Sequence, residues 1–412
     1  MKATKSWSYA SQTLTLLFIM FIDGVGMSLV LPLSGDLFSP GAYSLLSATS
    51  PAWLNQFYYG ANLAAFSLAM IFGASILGQL SDKYGRKLTL NLSLLGALAG
   101  YLLCALAVVI KEPSLFIIGR IIDGLTAGSI PVAQAILTDL DSKSSQMTGI
   151  GRVMFAVTSG YMLGPVIAGS AYIGQSSNHY LPFVLIALSC LFSMGFLSLI
   201  KETKGAATEP QKLNLFNALK PVMALFKLAS LRSALLSFFL FQCAWTLFYQ
   251  YLPKIQIGNS AFNHQELNTL MAAVGAAMCF AFCVAVPKLK LSPVKLIMWC
   301  FGLFTLFNFN LLQAGLDYGS FTFLAVSMAL LYAIGYSAML GFILSISNDS
   351  EKGLILGSIA SICAISASLT AILGGYLNAL SNYAFFSVLL LMSFTALMIF
   401  LNLSRAHTLK AA

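Results

Sequence analysis

The chain has 412 residues, of which 58%, about 239, are apolar and only 35, or 8%, are charged, where soluble domains carry roughly 25%. A soluble fold of this size still leaves roughly a quarter of its unfolded surface in water. The apolar load therefore excludes a soluble protein, and at about 20 residues per span it suffices for about twelve spans with little left over. The formal net charge of +9 raises nucleic acid as a partner until the charges are placed on the chain.

The first apolar run, 12–33, carries Asp23 in its middle and has no small-residue cleavage site at its end, so it is read as a retained span and not as a signal peptide. Further runs at 57–80, 88–110, 114–138, 150–174 and 180–200 complete a first set of six. A polar stretch, 201–230, follows with Lys201, Lys204, Lys212, Lys220 and Lys227; within it Leu215, Leu219, Val222 and Phe226 recur at helical spacing and predict a surface-lying amphipathic helix from Gln211 to Leu228. A second set falls at 231–252, 266–287, 294–315, 319–346, 352–376 and 381–403. The expected architecture is an all-α integral membrane protein with twelve transmembrane helices in two six-helix bundles, 1–200 and 231–412, joined by the linker 201–230.

Twelve spans put both termini on one side, and of the 22 Lys and Arg residues 19 fall on that side, two (Lys111 and Lys254) on the other and one, Arg120, within a span. That bias places the termini and the linker in the cytoplasm, so topology explains the positive charge and no nucleic acid is expected. The seven cysteines all lie in apolar runs, and His179, His264 and His407 are isolated in loops or the tail, so neither a disulfide framework nor a metal site is expected. Neither a P-loop nor a nucleophile constellation occurs, so an enzyme is not expected either. Faint repetition links the halves: Leu31-Pro32 closes span 1 and Leu252-Pro253 closes span 7, while spans 5 and 11 share glycine-rich outer halves. Transporters built from such repeats hold substrate near the membrane midplane.

Three charges lie in the interior of spans, away from their ends: Asp23 in span 1, Arg120 and Asp123 in span 4. Intramembrane ionisable groups are costly and are functional candidates by default. At 1.5 Å per residue Asp23 lies roughly 16 Å along its helix and Asp123 roughly 14 Å along its own, which puts both near the midplane. Arg120 and Asp123 are three apart and share a helix face, where one guanidinium can meet one or both carboxylates. With both aspartates ionised the set carries −1; with one proton bound it is neutral, the state a low dielectric favours. Two readings are open: a proton-coupling site of Asp23, Arg120 and Asp123, or a permanent ion pair that only fixes geometry.

The turn after span 2 reads Gly78-Gln-Leu-Ser-Asp82-Lys-Tyr-Gly85-Arg86-Lys87. This decapeptide resembles the loop signature of the major facilitator superfamily, at the position that family has it. The resemblance implies a conformational gate in which Asp82 meets the start of span 11, with Gly78, Gly85, Arg86 and Lys87 as the rest of the motif; the alternative is simple anchoring of span 2. In span 5, Gly160-Tyr-Met-Leu-Gly164-Pro165-Val-Ile-Ala168-Gly169 resembles the Gly-Pro-x-x-Gly-Gly motif of the exporting antiporter branches, with Ala168 in place of one glycine; Gly160, Gly164, Pro165 and Gly169 serve helix packing in either case. Phe21-Ile-Asp23-Gly24 and Gly119-Arg120-Ile-Ile-Asp123-Gly124 are similar to spans 1 and 4 of the twelve-span drug:proton antiporters, tetracycline efflux proteins among them, although many members carry glutamine where this chain has Asp123. Lys201-Glu202-Thr203-Lys204 is similar to a common ending of span 6 without its proline. The specific motifs sit in the first half only.

The second half has no charge in the interior of a span. Gln242, Trp245, Phe248 and Tyr249 in span 7, Asn308 in span 9, and Tyr332 and Tyr336 in span 10 are the candidate lining of a substrate cavity, suited to a largely apolar or cationic molecule. Tyr58, Tyr59 and Tyr251, near helix ends, are expected in the interfacial aromatic belt. The resemblance implies a proton-coupled antiporter that exports a small molecule by alternating access, with no cofactor beyond the proton gradient; short loops and no Asn-x-Ser/Thr sequon in an outward loop fit a bacterial inner membrane, and a monomer is expected. The same fold also suits a symporter that imports a nutrient or siderophore-like compound, or a non-transporting receptor.

Overall fold

The computed structural model describes the chain except residues 1, 42, 141–145, 173–177, 199, 203–228, 258–259, 262, 313–316, 348 and 412. Side chains are further undescribed at 2–10, 82, 138–140, 146–151, 172, 229–230, 256–257, 260–261, 349–354, 356–357 and 406–411. The linker helix expected at 211–228 lies outside the described residues.

Every long apolar run is helical, because in lipid a backbone must satisfy its own hydrogen bonds. The helices are α1 (Lys2–Leu37), α2 (Ala52–Tyr84), α3 (Arg86–Ile110), α4 (Pro113–Leu125), α5 (Ser129–Leu140), α6 (Gln146–Ala168) and α7 (Leu181–Leu197). After the linker come α8 (Ala229–Tyr251), α9 (His264–Phe280), α10 (Pro293–Leu311), α11 (Tyr318–Ser345), α12 (Asp349–Leu380) and α13 (Asn382–Ala411). Helix α9 continues through a π-helical turn, Ala281–Ala285, into a last turn at Val286–Lys288. Between α8 and α9 lies a two-residue antiparallel pairing of Gln256–Ile257 with Ser260–Ala261, Gln256 opposite Ala261.

Among the described residues eleven stretches are long and apolar enough to cross a membrane, and α7, at 17 residues, is a shorter apolar helix that still lies within the spanning range. The twelve expected runs are thus all present. One differs from expectation: the fourth span is not continuous but breaks between Leu125 and Ser129 into α4 and α5.

The helix ends carry local signals. Glu112 caps α4 by accepting from the Ser114 amide at 3.2 Å, with Pro113 at the first helical position. Asn263 and Glu266 form a capping box at α9, and Asp317 caps α11.

The chain divides into two compact units, Met1–Thr49 with Ala65–Ala218, and Ser50–Ala64 with Leu219–Ala412. In the first, α1 packs on α6, and α3 on α4 and α7, around a core that includes Leu16, Leu90, Val132, Ile136 and Val153. In the second, α8 packs on α12 and α13, and α10 on α11 and α13, around Phe238, Phe241, Phe301 and Phe304. Each unit leaves large apolar side chains outward, Leu102, Val109 and Phe192 in the first, Phe323, Leu391 and Phe394 in the second. Water would penalise such faces, whereas a bilayer covers them.

The start of α2 belongs to the second unit through polar contacts. The Tyr59 hydroxyl donates to the Gln250 carbonyl at 2.5 Å, and the Lys254 ammonium lies 4.7 Å from the Tyr59 ring centre. Tyr251 donates likewise to the Ala371 carbonyl. Both tyrosines are fully buried, which corrects their expected place in an exposed belt: a phenol that finds a carbonyl can leave the interface. His179 is not isolated either. Its Nε2 lies 3.3 Å from the Asp36 carboxylate and its ring stacks on Tyr43 at 4.3 Å.

Candidate functional site

Three glycines bring α6 against α1. A Cβ on Gly160 would stand 2.7 Å from the Val25 amide nitrogen, one on Gly164 would stand 2.8 Å from the Leu29 nitrogen, and Gly24 of α1 abuts the Val157 carbonyl. Backbones this close need residues without side chains on both faces. Pro165 is buried inside α6, and Gly169 opens the 3-10 turn, Gly169–Tyr172, that ends it. This contact fixes the face of α1 that carries Asp23.

Arg120 and Asp123 stand one turn apart on α4. The Arg120 Nη1 donates to Asp123 Oδ2 at 2.7 Å, with the side chains 5% and 8% exposed. The guanidinium lies 4.4 Å from the Phe66 ring centre, an aromatic face that favours a cation. The Tyr101 hydroxyl of α3 lies near the Asp123 carboxylate. Helices α3 and α4 approach closely here, a Cβ on Gly100 reaching 2.8 Å from the Gly119 carbonyl oxygen.

Asp23 is not part of that ion pair among the described residues. Its Oδ2 accepts a hydrogen bond from the Ser129 hydroxyl at 2.7 Å. The sequence reading missed three of these groups: Phe66, Tyr101 and Ser129. The first two carry no sequence signal in an apolar run, but Gly128 and Pro131 inside one span are a helix-breaking cue that points at Ser129.

At the motif after α2, one residue separates two helices. Gly85 has φ of 103° and ψ of 156°, a backbone that side chains other than glycine's rarely permit, and it turns α2 into α3. The Glu202 carboxylate closes the turn: Oε1 accepts from the Arg86 amide at 2.9 Å and Oε2 from the Lys87 amide at 3.0 Å. A carboxylate across the first two amides of a helix matches its positive end. The Lys87 ammonium donates to the Ser198 carbonyl at 3.0 Å. Around Gly78 there is open space, and the Asp82 side chain lies outside the described residues.

In the second unit the aromatic candidates gather. Trp245 stacks on Tyr332 at 4.4 Å and 10°, and on Tyr249 at 5.6 Å and 13°. Tyr332 donates to Gln242 Oε1 at 2.9 Å and borders Tyr336 at 5.9 Å. Phe248 sits at the edge, 6.2 Å from Trp245, and turns toward Phe321. Asn308 does not join them: fully buried, it donates to Ser393 Oγ at 3.2 Å and ties α10 to α13.

Helices long and apolar enough to cross a membrane, one of which holds a buried ion pair, define a multi-pass membrane protein with a candidate site in its interior. The Major Facilitator Superfamily model matches residues 13–290, more than half of the chain, and the chain belongs to that superfamily of secondary transporters. It is 33% identical over 217 residues to the class D tetracycline resistance protein of Salmonella ordonez, covering 51% of this chain and 52% of that one. It is 29% identical over 194 residues to the class B protein of Escherichia coli, covering 47% and 45%, so the chain spans about half the length of these curated relatives. The crystal structure of the human organic anion transporter MFSD10 (TETRAN) is similar at TM-score 0.67 and 17% identity, covering 95% of this chain and 99% of that one. That of a D-xylose-proton symporter is similar at TM-score 0.75 and 14% identity, covering 95% and 96%. At those identities the likeness is one of fold.

Proposed function

We propose that this transporter is a proton-coupled antiporter that exports a small, largely apolar or cationic molecule by alternating access, with both termini cytoplasmic in a bacterial inner membrane. The observation that carries the reading is the buried Arg120–Asp123 pair in the same unit as Asp23, at similar depth along their spans. A fixed charge in lipid is costly and persists where it has work to do. In this reading Asp23 and Asp123, tuned by Arg120, exchange a proton, and the protonated and ionised states favour different conformations.

The likeness to proteins named for tetracycline resistance and the glycine contact of α6 with α1 support export. The stacked Trp245, Tyr332 and Tyr249 offer flat faces to an apolar or cationic ring, with Gln242 and Tyr336 for polar contact. Gly78, Asp82, Gly85, Arg86 and Lys87 serve as the gate. In proteoliposomes an imposed proton gradient drives exchange of a lipophilic cation such as tetraphenylphosphonium or of tetracycline. The Asp23→Asn, Asp123→Asn double variant binds these probes but no longer concentrates them; a double variant that still does so sinks the coupling assignment.

A further inference from the structure

The break in the fourth span is built into the packing of the first unit. Helix α4 ends at Leu125, Thr126 closes it by bonding back to the Ile122 and Asp123 carbonyls, and α5 starts afresh at Ser129. Three glycines make room for the turn. Gly73 of α2 abuts the Leu125 carbonyl, Gly96 of α3 abuts the Thr126 side chain, and a Cβ on Gly128 would lie 2.6 Å from Leu77 Cδ1. Interrupted helices inside a membrane occur where the freed backbone ends serve a site.

The site here is Asp23. Ser129, 4% exposed, is the first residue of the twelve-residue α5 and donates its hydroxyl to the Asp23 carboxylate, 106 residues away on α1. The carboxylate therefore lies at the amino end of a half-helix, where both the hydroxyl and the helix dipole favour a negative charge. Among the described residues, the other charged or titratable groups around it are Asp123 with its partner Arg120 on α4, Tyr101 on α3 and Cys190 on α7. On α6, Gly160 and Gly164 stand against the α1 backbone, and the Tyr161 hydroxyl turns to Met27 Sδ at 3.5 Å.

We propose that Ser129, presented by the break at Thr126–Gly128, is the positioning residue that holds the Asp23 carboxylate and sets the pH at which it takes up a proton. The hydroxyl donates to the ionised carboxylate; when Asp23 binds a proton that acceptor weakens, and α1 loses its tie to the start of α5. A proton arriving at one residue thereby loosens a joint between two spans. This inference deepens the role proposed for Asp23 above and rests on it.

The test reads protonation without transport. Infrared difference spectra of the purified full chain, titrated with acid, report the carbonyl stretch of protonated buried carboxyls, and Asp23→Asn identifies the Asp23 component. A donor to the charged form favours that form, so Ser129→Ala moves the midpoint of that component upward by about one pH unit, a tenfold change in proton affinity. Ser129→Thr, which keeps the hydroxyl, restores it and guards against a variant that merely folds poorly. A merely structural Ser129 lowers thermal stability and leaves the midpoint where it was, which overturns the proposal; so does a spectrum in which Asp23→Asn removes no component. Proton-driven tetraphenylphosphonium exchange, measured alongside, tests the coupling role itself. If Asp23→Asn leaves that exchange intact while Ser129→Ala shifts the infrared midpoint, the antiport reading fails and the positioning of Asp23 by Ser129 stands.

Discussion

Removing Arg120 asks whether Asp123 is held as an anion inside the first unit. The two side chains are bonded at 2.7 Å and are 5% and 8% exposed, so Arg120→Leu leaves a buried carboxylate without its guanidinium partner. Stranding one member of a buried pair costs about 3–5 kcal/mol. The penalty has a ceiling, because the carboxyl can escape it by binding a proton, and neutralising a group of ordinary pKa near 3.9 at pH 7 costs about 4 kcal/mol. The expected loss at pH 7 is therefore about 3–4 kcal/mol. It shrinks by about 1.4 kcal/mol for each pH unit of acidification, since the escape becomes easier by that amount. The double variant Arg120→Leu, Asp123→Leu recovers most of the loss, because two apolar groups need no partners. The assay is unfolding of the detergent-purified protein followed by intrinsic fluorescence between pH 5 and 8. A loss that does not change with pH, or one that the double variant fails to recover, refutes an ionised and paired Asp123.

The helix contact of α1 with α6 predicts that Gly160→Leu lowers thermal stability strongly, by about 1–3 kcal/mol or more, because the new side chain meets backbone at Phe21 and Val25; Gly78→Ala, facing open space, is neutral within about 0.5 kcal/mol in the same melt. Hydrogen bonds from the Ser320 hydroxyl and from the Gly319 and Ser320 amides hold the Asp317 carboxyl below the usual carboxylate range. A lowered folded value stabilises above the ordinary pKa of about 3.9 and is lost as pH falls through the folded one; Asp317→Ala thus lowers the melting temperature at neutral pH, with a deficit that closes in acid. Tyr332→Phe removes the hydroxyl on Gln242 but keeps the ring on Trp245. It should leave tetraphenylphosphonium affinity within about threefold, while Trp245→Ala costs tenfold or more, the difference a lost stacking face of about 1–2 kcal/mol makes, read by equilibrium dialysis.

Much of the membrane architecture was legible from composition, because lipid leaves a spanning backbone no alternative to the helix. Twelve apolar runs became twelve spans, and the glycine at position 85 announced the sharp turn that its φ of 103° then required. The ion pair of Arg120 with Asp123 was readable because both residues sit on one helix, three apart. The limits begin where partners come from different helices. Hydropathy says that a residue is in the membrane but not which neighbour it meets, so Tyr59 and Tyr251 read as belt residues when they are buried against carbonyls.

The sequence by itself determined that the chain spans a membrane many times, where its few intramembrane charges lie, and which motifs place it among the facilitators. Only the tertiary structure decided that the fourth span is two half-helices, that Glu202 rather than solvent closes the start of α3, and that Asp23 is answered by Ser129. The physical reason is the same in each case. Burial in lipid is a property of one helix and accumulates along it, whereas a hydrogen bond between helices depends on which small residues let two backbones approach, and that is settled only when all the helices are packed.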